Sequence, residues 1–160
     1  MSLKTYEIVP VSPSSGLIEF VEDSVSIAEI RRTNKDLLAY FTQTFGPPGS
    51  KSFLEAQRRF YESLAGWYLA SYVLQLKDRH NANILVTKEG ALVHIDFGFV
   101  LGIAPGSKTI QIEKVPFKLT SEWLQVLGGG KSSAFHRFSI LMAKGLRALN
   151  QESEKLILLA

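Results

Sequence analysis

Residues 75–86, QLKDRHNANILV, and residues 93–101, VHIDFGFVL, decide how this chain is read. Asn83 to Thr87 is an apolar, β-branched run, and Ala91 to Ile95 is another; Lys88-Glu89-Gly90 between them is a tight turn, with Gly90 suited to positive φ. The stretch therefore reads as a β-hairpin with a polar loop at each open end. The first loop supplies Asp78, Arg79, His80 and Asn83, and the second supplies Asp96. A two-stranded hairpin returns the chain to its start, so Asp96 is expected beside Asn83, thirteen positions away. A carboxylate and an amide oxygen at one point are hard donors, suited to Mg²⁺ carrying nucleotide phosphates. His80 is a base available near neutral pH. Metal ligands, a base and a positioning Asp are the components of a phosphoryl-transfer site.

Outward from this hairpin the elements are mostly helical. Ser52 followed by Glu55 has the form of a capping box. It precedes a helix to about Leu76 whose first half mixes apolar with charged residues (Arg58, Arg59, Glu62) and whose second half is apolar all round, as in a helix entering the protein centre. Thr5–Val11 and Leu17–Val21 read as a first hairpin around the turn Ser12–Gly16. Ser24 or Ser26 is placed to cap a short helix through Arg32, and a second helix is expected over Lys35–Phe45, ended by Gly46-Pro47-Pro48-Gly49. Residues 99–118 have no period and contain Gly102, Pro105, Gly106 and Pro116, which reads as a long loop of the kind that carries function. Helices follow over Ser121–Leu127, Ser133–Leu149 and from Glu152.

Composition limits the classes. The chain has 160 residues, 46% hydrophobic and 21% charged, which is a globular balance with length for one core. Its net charge of +3 is too small to point to nucleic acid. With no cysteine there is neither a disulfide frame nor a thiolate metal site. The most apolar run, Leu64–Leu76, is broken by Gly66, Ser71 and Gln75 and is shorter than the roughly 20 residues of a membrane span.

The order Asp78-Arg79-His80, with Asn83 three residues later and then His94-Ile95-Asp96-Phe97-Gly98, inverts the His-Arg-Asp of ordinary protein kinases. It resembles the phosphatidylinositol 3-/4-kinase superfamily. Lys77 before the Asp-Arg-His resembles the type III, beta-like phosphatidylinositol 4-kinases. GLIEFVEDSVSI resembles that family's hinge, FLEAQRRFYESLAGWYLASYVLQ its long central helix and FKLTSEWLQVLGG the end of its activation loop, so the likeness runs over about residues 3–150.

The resemblance implies an α+β, protein-kinase-like fold: a mostly helical C-lobe with two β-hairpins and an N-lobe largely absent. Residues 1–22 would be the last N-lobe strands and the hinge. Residues 23–160 would be the C-lobe, with catalytic loop 77–83, metal-binding motif 96–98 and activation loop 97–118, cut short at the C-terminus. It further implies His80 as general base, Asp78 as the residue orienting the catalytic loop, and Asn83 with Asp96 as ligands of Mg²⁺ or Mn²⁺. The backbone of Glu19 and Val21 would bond the adenine of ATP, with Leu85 and Ile95 as the apolar floor. Lys108, Lys114 and Lys118 would meet lipid phosphate. Arg79 is expected in a structural ion pair and His94 as a packing residue.

The expected activity is transfer of the ATP γ-phosphate to the 4-hydroxyl of phosphatidylinositol, by a cytoplasmic protein peripheral to a membrane. No phosphate-covering Gly-rich loop or phosphate-binding Lys precedes the hinge, so the chain is expected to be a fragment, nearly inert alone. The rival readings are a protein serine/threonine kinase of the same superfamily and a non-catalytic nucleotide-binding or scaffold module. Phosphorylation of peptide and not lipid would mark the first, and nucleotide binding that needs no metal would mark the second.

Overall fold

In the computed structural model, residues 1–101, 103, 115 and 117–159 are described, and every structural statement here concerns them. The long helix, α3 (Lys51–Leu74), is the axis on which the rest is assembled. Its 24 residues span about 36 Å at 1.5 Å per residue. The change in its sequence from amphipathic to apolar is a change in environment: Ser63 to Leu69 are all buried. Its cap differs from the capping box expected at Ser52. Ser50 is the N-cap, accepting from the Phe53 amide at 3.3 Å. Ser52 donates instead to the Phe45 carbonyl at the preceding break. Glu55 pairs with Arg58 and Arg59 on the outer face, and those pairs hold it away from the helix start.

Five strands form two sheets. β1 (Ile8–Ser12) and β2 (Ser15–Ile18) make an isolated antiparallel hairpin, with Ile8 opposite Ile18. The central hairpin joins β4 (Ile84–Thr87) to β5 (Leu92–His94), with Ile84 opposite His94. A third strand not expected from the sequence, β3 (Ser24–Ser26), pairs antiparallel with β4 on its outer edge. Ser26 also caps α1 (Ile27–Thr33), accepting from Glu29 N–H. Asp36 caps α2 (Leu37–Phe45), which ends at Gly46 with φ of 94°. Most of the loop expected over residues 99–118 lies outside the described residues; beyond it come α4 (Ser121–Val126), α5 (Ser133–Gln151) and α6 (Ser153–Leu159).

The core is aromatic and centred on α3. Phe41 and Phe60 meet edge to face at 5.3 Å, and Phe60 stacks on Trp123 at 5.5 Å. Burying each such side chain contributes about 1.5–3 kcal/mol. α5 lies against α3 closely enough that a Cβ on Gly145 would come within 2.1 Å of Leu69 Cδ1. The central hairpin is fastened to the same helix: Trp67 Nε1 donates to the Leu92 carbonyl at 3.0 Å, and the Leu92 amide donates to Ser63 Oγ at 2.8 Å. Gly90 at its tip (φ 86°) rests on Ala56, where a Cβ would sit 2.8 Å from the alanine methyl. The long apolar helix thus sets where the two polar loops are presented. No described helix is long and apolar enough to cross a membrane.

Candidate functional site

The register of the central hairpin brings the two loops together. The Asn83 carbonyl accepts from Ile95 N–H at 3.0 Å, so Asp96 is one residue beyond the partner of Asn83. Leu85 pairs with Val93, which puts Leu85 and Ile95 on one face of the ribbon, both half-buried. His94 is on the opposite face, 3% exposed and stacked flat on Trp67 at 4.6 Å. Burial, helped by the nearby Arg79 charge, lowers its pKa to about 3.

Asp78 and Asp96, at the two open ends of the hairpin, both adopt left-handed backbone, with φ of 60° and 59°. Aspartate tolerates that region better than most residues, but it still carries strain that the surroundings must hold. Arg79 holds it. Its Nε donates to the Lys77 carbonyl and its Nη1 to the Ile95 carbonyl, both at 2.8 Å, while Nη2 donates to the Asp96 carbonyl. The guanidinium also lies 5.5 Å from the centroid of the Phe97 ring. Sequence reasoning assigns Arg79 an ion pair; the bonds seen here tie backbone to backbone across the two loops.

Asn83 is 6% exposed, and its Nδ2 donates to the Asp78 carbonyl at 3.1 Å, which fixes the amide and aims Oδ1 away from that bond. Asp96 is exposed, with Oδ1 3.4 Å from the Gly98 amide. His80 is also exposed, and its Nδ1 accepts from Ala82 N–H at 3.2 Å. In the neutral ring the proton then sits on Nε2, which faces Asp78 Oδ2 at 3.8 Å. Among the described residues no group of three or more His, Cys, Asp and Glu could cage a metal. The oxygens of Asn83 and Asp96 form a sparse, hard set, which fits a cation that takes its remaining ligands from phosphate and water.

In the segment expected to be the hinge, the Glu19 amide donates to the Glu7 carbonyl at 2.9 Å, and the Val21 carbonyl accepts from Ser24 Oγ at 2.6 Å. The Glu19 carbonyl and the Val21 amide stay out of these bonds, an acceptor and a donor two residues apart. Of the three lysines expected at a lipid phosphate, Lys108 and Lys114 lie outside the described residues. Lys118 is exposed, and its carbonyl accepts from the Tyr68 hydroxyl at 2.6 Å.

Two contributors carried no readable signal. Tyr6 stacks on Phe97 at 6.3 Å, and Phe97 stacks on Trp67 at 5.9 Å, so Tyr6, Phe97, Trp67 and His94 form a column of rings behind Asp96. Burial raises the pKa of the Tyr6 hydroxyl, against an opposing hydrogen bond from the Asp96 backbone. Arg31 reaches from α1 to Glu122 on α4 at 2.7 Å and, with the Asn81 amide oxygen turned toward it, to the loop that carries His80 at 2.9 Å. A tyrosine in a strand and an arginine late in a helix look ordinary until the fold places their partners.

A family model described as phosphatidylinositol 3- and 4-kinase matches residues 1–159. The chain is 42% identical over 158 residues to a phosphatidylinositol 4-kinase of Dictyostelium discoideum, a match covering 97% of this chain and 13% of that protein. It is 44% identical over 156 residues to phosphatidylinositol 4-kinase beta of Danio rerio, covering 97% of this chain and 18% of that protein. For the Rattus norvegicus protein of the same name the identity is 42% over 156 residues, with 97% and 19% covered. The chain thus spans less than a fifth of the length of these relatives.

Proposed function

The chain belongs to the phosphatidylinositol 3- and 4-kinase family, and on that premise we propose that it carries the reaction centre of an enzyme moving the ATP γ-phosphoryl group to the 4-hydroxyl of phosphatidylinositol. The observation that carries this reading is the pair of left-handed aspartates, Asp78 and Asp96, at the two ends of one hairpin and tied by Arg79. Glycine would relieve both backbones. A carboxylate at each strained position argues that the carboxylates are used.

In this mechanism Asn83 Oδ1 and the Asp96 carboxylate would hold Mg²⁺ or Mn²⁺, which when bound would supply positive charge against the transferring phosphoryl group. The Glu19 carbonyl and Val21 amide take the adenine edge, over a floor of Leu85 and Ile95. His80 accepts the inositol hydroxyl proton at Nδ1, in place of its bond from the Ala82 amide. The resulting imidazolium keeps its Nε2–H toward Asp78, whose charge stabilises it. This is how a carboxylate supports a histidine base in other enzymes. Lys118 sits at the lipid phosphate, where a basic residue is worth on the order of 1 kcal/mol. Residues 1–22 are the hinge-side strands, the remainder is the kinase C-lobe, and the protein acts from the cytoplasm at a membrane surface. The choice of the 4-hydroxyl rests on likeness to relatives named phosphatidylinositol 4-kinase.

The test is ATP-dependent phosphorylation of phosphatidylinositol vesicles, by the chain alone and by a chimera with residues 1–159 in place of the matching stretch of the Danio rerio relative. The chimera should form 4-phosphate, and His80→Ala should lower its turnover about 10²–10⁴-fold. Phosphate on peptide but not on lipid, or activity indifferent to His80, would replace this reading.

A further inference from the structure

The last turn of α1 carries two adjacent arginines that look interchangeable in sequence and are used differently. Arg32 is exposed and pairs with Glu29, three residues back in its own helix. Arg31 reaches a residue 91 positions away: its Nη2 and Nε both donate to Glu122 Oε2, at 2.7 and 3.1 Å. Its Nη1 donates to the Asn81 amide oxygen at 2.9 Å, in the orientation of Asn81 that gives that oxygen a donor. Two edges of one guanidinium are thus engaged on different elements. The helices at either end are firmly seated, with Ile27 and Ile30 of α1 and Trp123 and Val126 of α4 all buried in the core. Asn81 belongs instead to a short polar turn, Asn81–Asn83, that follows His80 directly.

We propose that Arg31 is a positioning residue for the proposed reaction, bracing the turn from which His80 projects against α4; the inference rests on the phosphotransferase reading of the site. The His80 ring accepts from Ala82 N–H at 3.2 Å, so ring and amide close over Asn81. Holding the Asn81 side chain therefore sets how the turn is rotated. The reaction requires His80 to leave the Ala82 amide and take the inositol hydroxyl proton, and the backbone beneath it then needs a hold other than its own ring. Arg31 supplies that hold from outside the turn. Arg79 and the Asn83 carbonyl fix the loop toward Ile95 and Asp96, whereas Arg31 fixes it toward α4, whose N-cap Thr120 lies just past Lys118. One guanidinium thus spans the loop with the base and the helix that follows the proposed lipid contact. An exposed ion pair adds little to stability. Placement is the larger effect, because moving a reacting group by about 1 Å can cost about 10²-fold in rate. Arginine suits the task through its fixed fork of donors, where lysine offers a point charge.

The test pairs kinetics of the chimera carrying residues 1–159 with amide shifts of the ¹⁵N-labelled 160-residue chain. In the chimera Arg31→Ala should lower kcat about ten- to a hundredfold while KM for ATP stays within about twofold. Arg31→Lys should recover part of that rate, and Arg32→Ala should leave kcat and KM unchanged. In the chain Glu122→Gln, a substitution of the same shape, should shift the Asn81 side-chain NH₂ and Ala82 amide signals. That shift should vanish when Arg31→Ala is also present. Equal kcat for Arg31→Ala and Arg32→Ala, a change in KM alone, or a Glu122→Gln shift confined to α4 would overturn the brace. An unmutated chimera that forms no 4-phosphate would strike the proposed function instead, and the amide shifts would still decide whether Arg31 couples α4 to the turn.

Discussion

The molecule contains two short antiparallel hairpins that look alike in sequence and live in opposite environments. In the central hairpin Val86, Leu92 and Val93 are each 0% exposed, whereas in β1–β2 Ile8 is 58% exposed and Leu17 66%. Two short, largely apolar strands joined by a turn make each of them a ribbon. What separates them is a third element: α3 supplies Trp67 and Ser63 to bond both edges of Leu92, and no described element does so for β1–β2. An isolated two-stranded ribbon is marginal in water. The precision of the candidate site therefore comes from the helix beneath its hairpin, and the hairpin alone would not supply it.

The sharpest way to break this contrast is Trp67→Ala, which removes the bond to Leu92 and the centre of the ring column together. It should cost about 3–5 kcal/mol, read as a lowered urea midpoint. Gly90→Ala adds a methyl against Ala56 at a left-handed position, two costs of about 1–3 kcal/mol each. The same assay should show a loss of about 2–6 kcal/mol.

A pH series isolates His94. Its folded pKa is near 3 against an ordinary value of 6.5, so between these values the unfolded chain binds a proton that the native state refuses. Stability is full above pH 6.5 and falls as pH drops toward 3. Between pH 7 and 5 the loss should be about 2 kcal/mol. His94→Phe, which can keep the stack on Trp67, should abolish that part of the slope. An unchanged slope in the variant would remove His94 as its source. On the other hairpin Leu17→Ala, at 66% exposure, should change stability by no more than about 0.5 kcal/mol. A larger effect would mean that β1–β2 is supported after all.

What could be read from the sequence was local. Gly90 marked the turn, Gly46 to Gly49 the break before α3, and the apolar half of α3 its burial. The hairpin rule also placed Asp96 next to the partner of Asn83. What could not be read depends on contacts far apart in the chain. Ser24–Ser26 is too short and polar to announce a strand, and it becomes one only because β4 offers an edge some sixty residues later. Ser50 and Ser52 are equally good caps by type, and the Phe45 carbonyl decides between them. Arg79 looks like a charge, but its three carbonyl partners exist only once both loops have closed.

The ring column has an optical consequence. The chain holds two tryptophans, and Trp67 sits in van der Waals company with Phe97 of the Asp96-Phe97-Gly98 motif, while Trp123 lies against Phe60 in the core. Indole emission responds to its immediate surroundings, so with Trp123 replaced by Phe the remaining fluorophore would report whether the motif is seated or withdrawn. The side chain that fastens the hairpin to α3 is thus also a built-in gauge of the loop it supports, readable in dilute solution without a label.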